Sequence, residues 1–421
     1  MAWRDIFRYR LRPPATSTDR PPRDLALEAL RGLCALLVFY AHAFLPFPAL
    51  DPGYAPSAVF WWFNLGAAAV LMFFVMSGYV IGLSIREPLT GPGARRYVLR
   101  RTARLVPVAY AAILLAWLLQ PDLSRHMLLG NFLFLQNDVP YPVTGWQFPL
   151  LVNDPVLWTL NYEAFYYLLF LVVWWLAPSA VVFFGLITLV AFGPALGLPV
   201  PVLISRHACG AYYWMGGLAL AWCTAAPAAA AAGRSQWPSA VLGAYALWVV
   251  GPLRLLFLQG GFYSLLWPTS VSPHRLDFLP ACLWCVLAVT GRSPATQRIL
   301  AWLCLGWAWF GTGWLLFTGQ WSPIHYVATA ALLAATGLMF RPAFSLAGLG
   351  RLGPLGAISF GLYAFAAPLQ ISQRVLLPEF SGTVLTFAVR LAGLLAATAG
   401  LAWLVDHRLH QWLVARLRRP R

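Results

Sequence analysis

The sequence predicts an all-α protein: a polytopic transmembrane helical bundle of about 10–12 spans with both termini in the cytoplasm. Three observations predict it. The 421-residue chain is 60% hydrophobic and only 10% charged, where a soluble domain carries roughly 25% charged residues. Apolar runs long enough to cross a bilayer, about 18 residues or more, recur from end to end. The 29 basic residues are all Arg, and they gather in the tails and in particular loops, as cytoplasmic charge does. The net charge of +16 therefore reads as topology and as affinity for anionic lipid or an anionic donor, and not as a nucleic-acid footprint.

The elements follow in order. Residues 1–23 form a basic tail broken by Pro13, Pro14, Pro21 and Pro22. Residues 24–405 form one membrane domain, and 406–421 a second basic tail. The first span, about 25–45, runs outward and is closed by Pro46 and Pro48. Ala41-His42-Ala43 weakly resembles a cleavage site, but the apolar stretch has spanning length, so the segment is expected to be retained. The second span, 58–84, returns inward to the densest basic loop: Arg86, Arg95, Arg96, Arg100, Arg101 and Arg104. A third span is expected at 105–119, with Pro107 in its first turn, where proline is tolerated. Residues 120–156 form a long outer segment, a natural lid or acceptor surface, with a short re-entrant or interfacial piece at 127–136. Further spans are expected from 157 and at 179–197, 207–225, 239–258, 277–291, 299–318, 324–340, 355–372 and 384–404. The linker 226–237 is expected in the cytoplasm. The six cysteines all fall in apolar segments. Cys282 and Cys285 make a C-x-x-C without a second pair, which reads as core packing.

The chemistry is expected on the first helix. Eleven residues at about 100° each bring His42 back to within about 20° of Arg31, and Glu28 sits one turn before Arg31. Ionisable groups on one face of a membrane-length helix are costly in lipid and point to a polar interior site. Of the acids, only Glu28 and Glu163 are expected well inside apolar segments. Glu163 lies about six residues into the fourth helix, at a depth similar to that of His42. A carboxylate near an imidazole fixes its tautomer and stabilises its protonated form; a helix-packing ion pair is the bland alternative. Arg101 and Arg104, with Arg100 beside them, suit bidentate phosphate contacts or plain topology-setting charge. Ser77-Gly78 suits close helix approach. Trp158 and Tyr162 flank Glu163, and Tyr110 follows the arginines; interfacial aromatics are their bland reading. His126, His207, His274, His325, His407 and His410 lack metal-ligand spacing, so no metal is expected.

Several of these stretches, in order, resemble the acyltransferase-3 family of polytopic membrane O-acyltransferases. Arg31, ten residues and His42 resemble its Arg–His signature. Phe73-Phe74-Val75-Met76-Ser77-Gly78 resembles its F-F-x-x-S-G. Arg101, Arg104 and Pro107 resemble its R-x-x-R-x-x-P. The run 158–167, W-T-L-N-Y-E-A-F-Y-Y, resembles its W-S/T-L-x-x-E-x-x-F-Y, in the flavour of members that acetylate exopolysaccharide. The run 355–363, L-G-A-I-S-F-G-L-Y, resembles its late helix. Where many members carry a His after that Tyr, this chain has Ala366, and Asp406 stands where many have Glu.

The resemblance implies an enzyme moving an acyl group, most often acetyl, from cytoplasmic acyl-CoA as co-substrate to a hydroxyl of a cell-envelope or exported glycan. No tightly bound cofactor is expected, and the partners are acyl-CoA, glycan or lipid-linked glycan, and membrane lipid. The implied location is a bacterial inner membrane. His42 would act as general base, or as a covalent acyl carrier, with Glu163 and Arg31 supporting it. Arg100, Arg101, Arg104, Ser77 and Gly78 would bind the donor, and Glu28, Trp158, Tyr162 and Tyr110 would line the site. The alternative class is an exporter of a lipid-linked sugar that uses the same buried groups as a relay.

Overall fold

The computed structural model describes residues 10–13, 24–44, 50–85, 87–120, 122–137, 139, 141, 144–151, 155–224, 234–262 and 271–417. Most of the expected basic N-terminal tail, Pro46, Pro48, Arg86, most of the 226–237 linker and residues 418–421 lie outside the described residues.

The described residues are predominantly helical. Helices of eight residues or more are α1 (Leu25–Ala43), α2 (Gly66–Ser84), α3 (Gly91–Leu119), α4 (Arg125–Phe132), α5 (Trp158–Leu176), α6 (Ala180–Phe192), α7 (Val202–Cys223), α8 (Trp237–Val250), α9 (Pro252–Gln259), α10 (Leu279–Thr290), α11 (Pro294–Phe317), α12 (Pro323–Met339), α13 (Ala366–Leu376), α14 (Val384–Ala402) and α15 (His410–Leu417). Two short strands, β1 (Arg234–Ser235) and β2 (Phe344–Ser345), pair antiparallel. Among the described residues six helical stretches are long and apolar enough to cross a membrane: Leu25–Ala43, Ala58–Ser84, Gly91–Leu119, Trp237–Gln259, Pro294–Phe317 and Val384–Leu413. The protein is thus an integral membrane protein with an all-α polytopic architecture. The other expected spans fall on helices that are shorter, interrupted or less apolar.

Three of the differences from the expected boundaries have a clear physical reason. The third helix starts at Gly91, not near 105. Thr90 caps it by accepting from Gly93 N at 3.1 Å, and the arginine-rich stretch, read as a loop, is helical. Arginine is a good helix former, so charge alone does not end a helix. Pro107 consequently sits inside the helix, where it cannot donate to the Ala103 carbonyl; His410 Nδ1 takes that carbonyl at 3.1 Å instead. The span expected at 239–258 breaks at Gly251, whose φ of +53° belongs to the left-handed region. The span expected at 355–372 is split into Gly353–Gly356, Ser359–Ala364 and α13.

The chain divides into two compact units. The first comprises Met1–Leu30, Val70–Pro88 and Val172–Gly353. Here α2 and α7 interdigitate through glycines. A Cβ on Gly78 would run into the Trp214 carbonyl, and one on Gly217 into the Val75 carbonyl. Helix α8 packs on α12 through small, fully buried residues, with Ser239 Oγ donating to Ala335 O at 2.6 Å. Asp277 holds the start of α9 by accepting from Leu253 N at 2.9 Å, and also accepts from Trp307 Nε1 at 3.1 Å.

The second unit comprises Arg31–Ala69, Leu89–Leu171 and Pro354–Arg421. Its core includes Phe39, Ala43, Leu50, Ala366, Phe387 and Leu394. Two buried charges clasp the turn after α1. Asp51 accepts from Gly53 N (3.0 Å), Gly382 N (3.0 Å) and Thr386 Oγ1 (2.6 Å). Arg390, 1% exposed, spends its donors on the carbonyls of Leu50, Gln373, Leu377 and Phe380. It thereby ties the end of α13, through Gln373 O, to the segment at Leu377 and Phe380 and to Leu50.

Candidate active site

The first turns of α5 hold the polar run Thr159-Leu160-Asn161-Tyr162-Glu163. Glu163 is the sixth residue of the helix, as expected, and its Oε1 accepts from the hydroxyl of Tyr167 one turn on. Tyr167 is buried. Its backbone carbonyl accepts from Tyr97 Oη at 3.3 Å, and the two rings meet edge to face with centroids 6.3 Å apart. The guanidinium of Arg101 lies 5.6 Å from the centre of each of these rings. A cation held over two tyrosine faces is attracted to both, more so out of bulk water. The hydroxyl of Tyr167 also lies within electrostatic reach of Arg104. Arg101 and the expected carboxylate therefore meet through one phenol, with Arg104 within electrostatic reach of it. Arg101 and Arg104 are half-buried, whereas Arg100 is exposed.

The late broken helix joins the same unit. Tyr363 is hydrogen-bonded to the side chain of Thr159 and lies within electrostatic reach of Glu163 and Tyr167. It is held from behind by Asp406, 3% exposed, whose Oδ2 accepts from Phe360 N at 3.0 Å and Gly361 N at 3.1 Å. These are the backbone donors that the break in the helix leaves over. Around Asp406 the end of α14 widens into π turns over Trp403–Leu409, a distortion found often at functional sites. Asp51, Asp277 and Asp406 lie outside the apolar segments, as expected of every acid but Glu28 and Glu163, yet they are held by the fold. The apolar windows excluded them, yet each is enclosed and bonded. Tyr97, Tyr167 and Tyr363 were not singled out as site residues, although Tyr167 stands at i+4 from Glu163 and Tyr97 at i−4 from Arg101, which are legible spacings.

His42 is the penultimate residue of α1 and is half-buried. The segment beyond it is held close: a Cβ on Gly66 would come 2.6 Å from Ala41 Cβ, and Tyr40 Oη donates to Phe60 O at 2.8 Å. Arg31, also half-buried, neighbours Gly32, whose hydrogen lets the late segment at Leu355 approach. Arg31 and His42 belong to the unit of Glu163, Arg101 and Arg104, whereas Glu28, Ser77 and Gly78 belong to the other. There Ser77 Oγ accepts from Trp214 Nε1 at 3.2 Å. Trp158 and Tyr162 stack edge to face at 5.3 Å beside Glu163. Tyr110 donates to Phe132 O at 3.0 Å and so ties α4 to α3. Among the described residues no group of three or more His, Cys, Asp or Glu is placed to hold a metal ion.

A family model described as an acyltransferase domain matches residues 24–407. No curated protein and no solved structure matches the chain.

Proposed function

The chain belongs to the acyltransferase-3 family and is an acyltransferase of the membrane; from that premise we propose that it moves an acetyl group from cytoplasmic acetyl-CoA to a hydroxyl of a cell-envelope glycan at the inner membrane of a bacterium. His42 is the general base. It takes the proton of the acceptor hydroxyl as that oxygen attacks the thioester carbonyl. Arg31 stabilises the oxyanion of the tetrahedral intermediate. The carbon–sulfur bond then breaks, the acetyl group stays on the acceptor oxygen, and the imidazolium returns its proton to the leaving thiolate as CoA departs. Glu163 stabilises the imidazolium. Arg101 and Arg104 face the phosphates of the donor.

The observation that carries this reading is the arrangement around Tyr167. A carboxylate held by a buried phenol, itself under an arginine, is a charge set prepared in advance of substrate, and preorganised charge is what acyl transfer needs. Family membership supplies the reaction class.

The test is CoA release by the protein in proteoliposomes given acetyl-CoA and an envelope-glycan extract. Loss of the base is expected to slow transfer by about 10²–10⁴-fold, so His42→Ala should release almost no CoA while still binding acetyl-CoA. Release by His42→Ala equal to that of the intact protein would remove His42 from the mechanism.

A further inference from the structure

The segment between α3 and α5 presents a side chain that packing does not account for. Trp146 is 63% exposed, and its neighbours Thr144, Gly145 and Gln147 are exposed too. An indole that anchors a chain at a lipid interface comes with other apolar side chains; the chain neighbours of this one are a hydroxyl and an amide, and the exposed apolar side chains of the segment, Leu129 and Leu133, stand on α4 and at its C-cap. The ring is nonetheless fixed. It stands edge-on to Phe148 at 6.3 Å, and Phe148 is buried and stacked on His126 at 4.5 Å. Gly130 leaves the space that the Phe148 ring fills.

The chain around Trp146 is wired to the site. Tyr141 N donates to Trp146 O at 2.7 Å, and Gly145 N, with φ of +66°, to Tyr141 O at 2.9 Å. Tyr141 Oη donates to Leu135 O at 3.0 Å and accepts from Asn161 Nδ2 at 3.1 Å. Asn161 in turn donates to Phe134 O at 2.7 Å. Asn161 is two residues before Glu163, and Glu163 lies five residues from the start of α5, about 7.5 Å of helical rise. An exposed aromatic surface is thus tied by part-buried hydrogen bonds to the turn that presents Glu163.

We propose that Trp146, with Thr144, Gln147 and His126 around it, is a saccharide subsite. A pyranose ring has an apolar C–H face and a rim of hydroxyls. The indole stacks on the face, and the hydroxyl, amide and imidazole bond the rim. The subsite holds a sugar unit of the acceptor, so it rests on the reading of the acceptor as a glycan.

The test separates binding from transfer. The intact protein in detergent is passed over immobilised envelope polysaccharide without acyl donor, and the lipid-extractable saccharide fraction is used as competitor. Trp146→Ala should raise the concentration of free polysaccharide needed for half-saturation about tenfold, the equivalent of one aromatic contact of ~1.4 kcal/mol. Trp146→Phe should restore most of it, and half-saturation by acetyl-CoA should not move in either variant. Competition by the lipid-extractable fraction alone would assign the sugar unit to a lipid-linked acceptor, and competition by free polysaccharide to the polymer. Equal retention of Trp146→Ala and the intact protein, or no retention of the intact protein, would overturn the subsite whether or not transfer occurs. If CoA release fails while Trp146-dependent retention persists, the transfer reading falls and the subsite stands.

Discussion

Removing one oxygen from Tyr167 separates its two roles. Tyr167→Phe keeps the ring under Arg101 and deletes the hydroxyl that holds Glu163. A hydrogen bond to a charged group contributes ~1.5–3 kcal/mol, so CoA release should fall by about 10–100-fold, with a modest fall in melting temperature from the same deleted bond. Tyr167→Ala removes the ring as well and should lower the melting temperature further. An unaltered rate in Tyr167→Phe would detach the phenol from the reaction. Asp51 makes a residue-scale prediction about pH. Burial pushes its carboxyl up, but hydrogen bonds from Thr386, Gly382, Gly53 and Ser381 more than offset this and bring it below the ordinary value of 3.8. Between those values the unfolded chain binds the proton and the folded chain does not, so the stabilisation is fully present above 3.8 and is lost as pH falls through the lowered value. The melting gap between the intact protein and Asp51→Asn should be flat above about pH 5 and close below it. A gap that widened on acidification would contradict the geometry.

At the scale of elements, Pro107 and His410 form a unit that no sequence window contains. Proline removes the donor that would have bonded Ala103 O, and an imidazole 307 residues further along the chain takes that carbonyl. His410→Ala should cost about 1–3 kcal/mol, the penalty of a stranded carbonyl. Pro107→Ala restores a local donor, so it should cancel much of that loss in the double variant, read as a non-additive melting cycle. Additive effects would mean that His410 acts elsewhere. The same pair explains why the third helix was misplaced from sequence. Arginines and a proline looked like a loop leading into a span. The arginines are ordinary helix residues, and the proline is tolerated because its partner lies beyond any local pattern. By contrast, α1 and α5 were legible because an apolar run with Asp24 capping the first, through Ala26 N and Leu27 N at 3.1 Å each, states its own limits. The breaks at Gly251 and before Ser359 were not, since they depend on what Asp277 and Asp406 supply from outside the helix.

At the scale of the molecule, hydropathy makes the architecture legible and spacing singles out Arg31, His42, Glu163, Arg101 and Arg104 as candidates, because cations and carboxylates in apolar runs need a reason. Hydropathy hides Asp406, beyond the end of α14, where charge is unremarkable until tertiary structure encloses it; Arg390 stands inside the apolar run of α14, and what hid it is that its partners are backbone carbonyls outside that helix. Hydropathy also leaves the role of Ser77-Gly78 open between donor contact and packing, and here the fold makes a prediction. Gly78 faces the Trp214 carbonyl with no room for a methyl group, and Ser77 accepts from the Trp214 indole, on a residue that is itself fully buried. Gly78→Ala forces α2 from α7 and should destabilise by at least ~1–3 kcal/mol, the range for an overfilled core. Ser77→Ala deletes an acceptor and should cost about 1 kcal/mol. If both residues act by packing, each variant yields less folded protein with a lower melting temperature, while the folded fraction keeps the intact half-saturation for acetyl-CoA. If they touch the donor, half-saturation should rise several-fold in Ser77→Ala at a melting temperature close to the intact value. The two measurements move independently, because lost fold lowers the amount of enzyme, whereas a lost donor contact lowers the affinity of every molecule that remains. The enclosed geometry of the α2–α7 contact favours the first outcome.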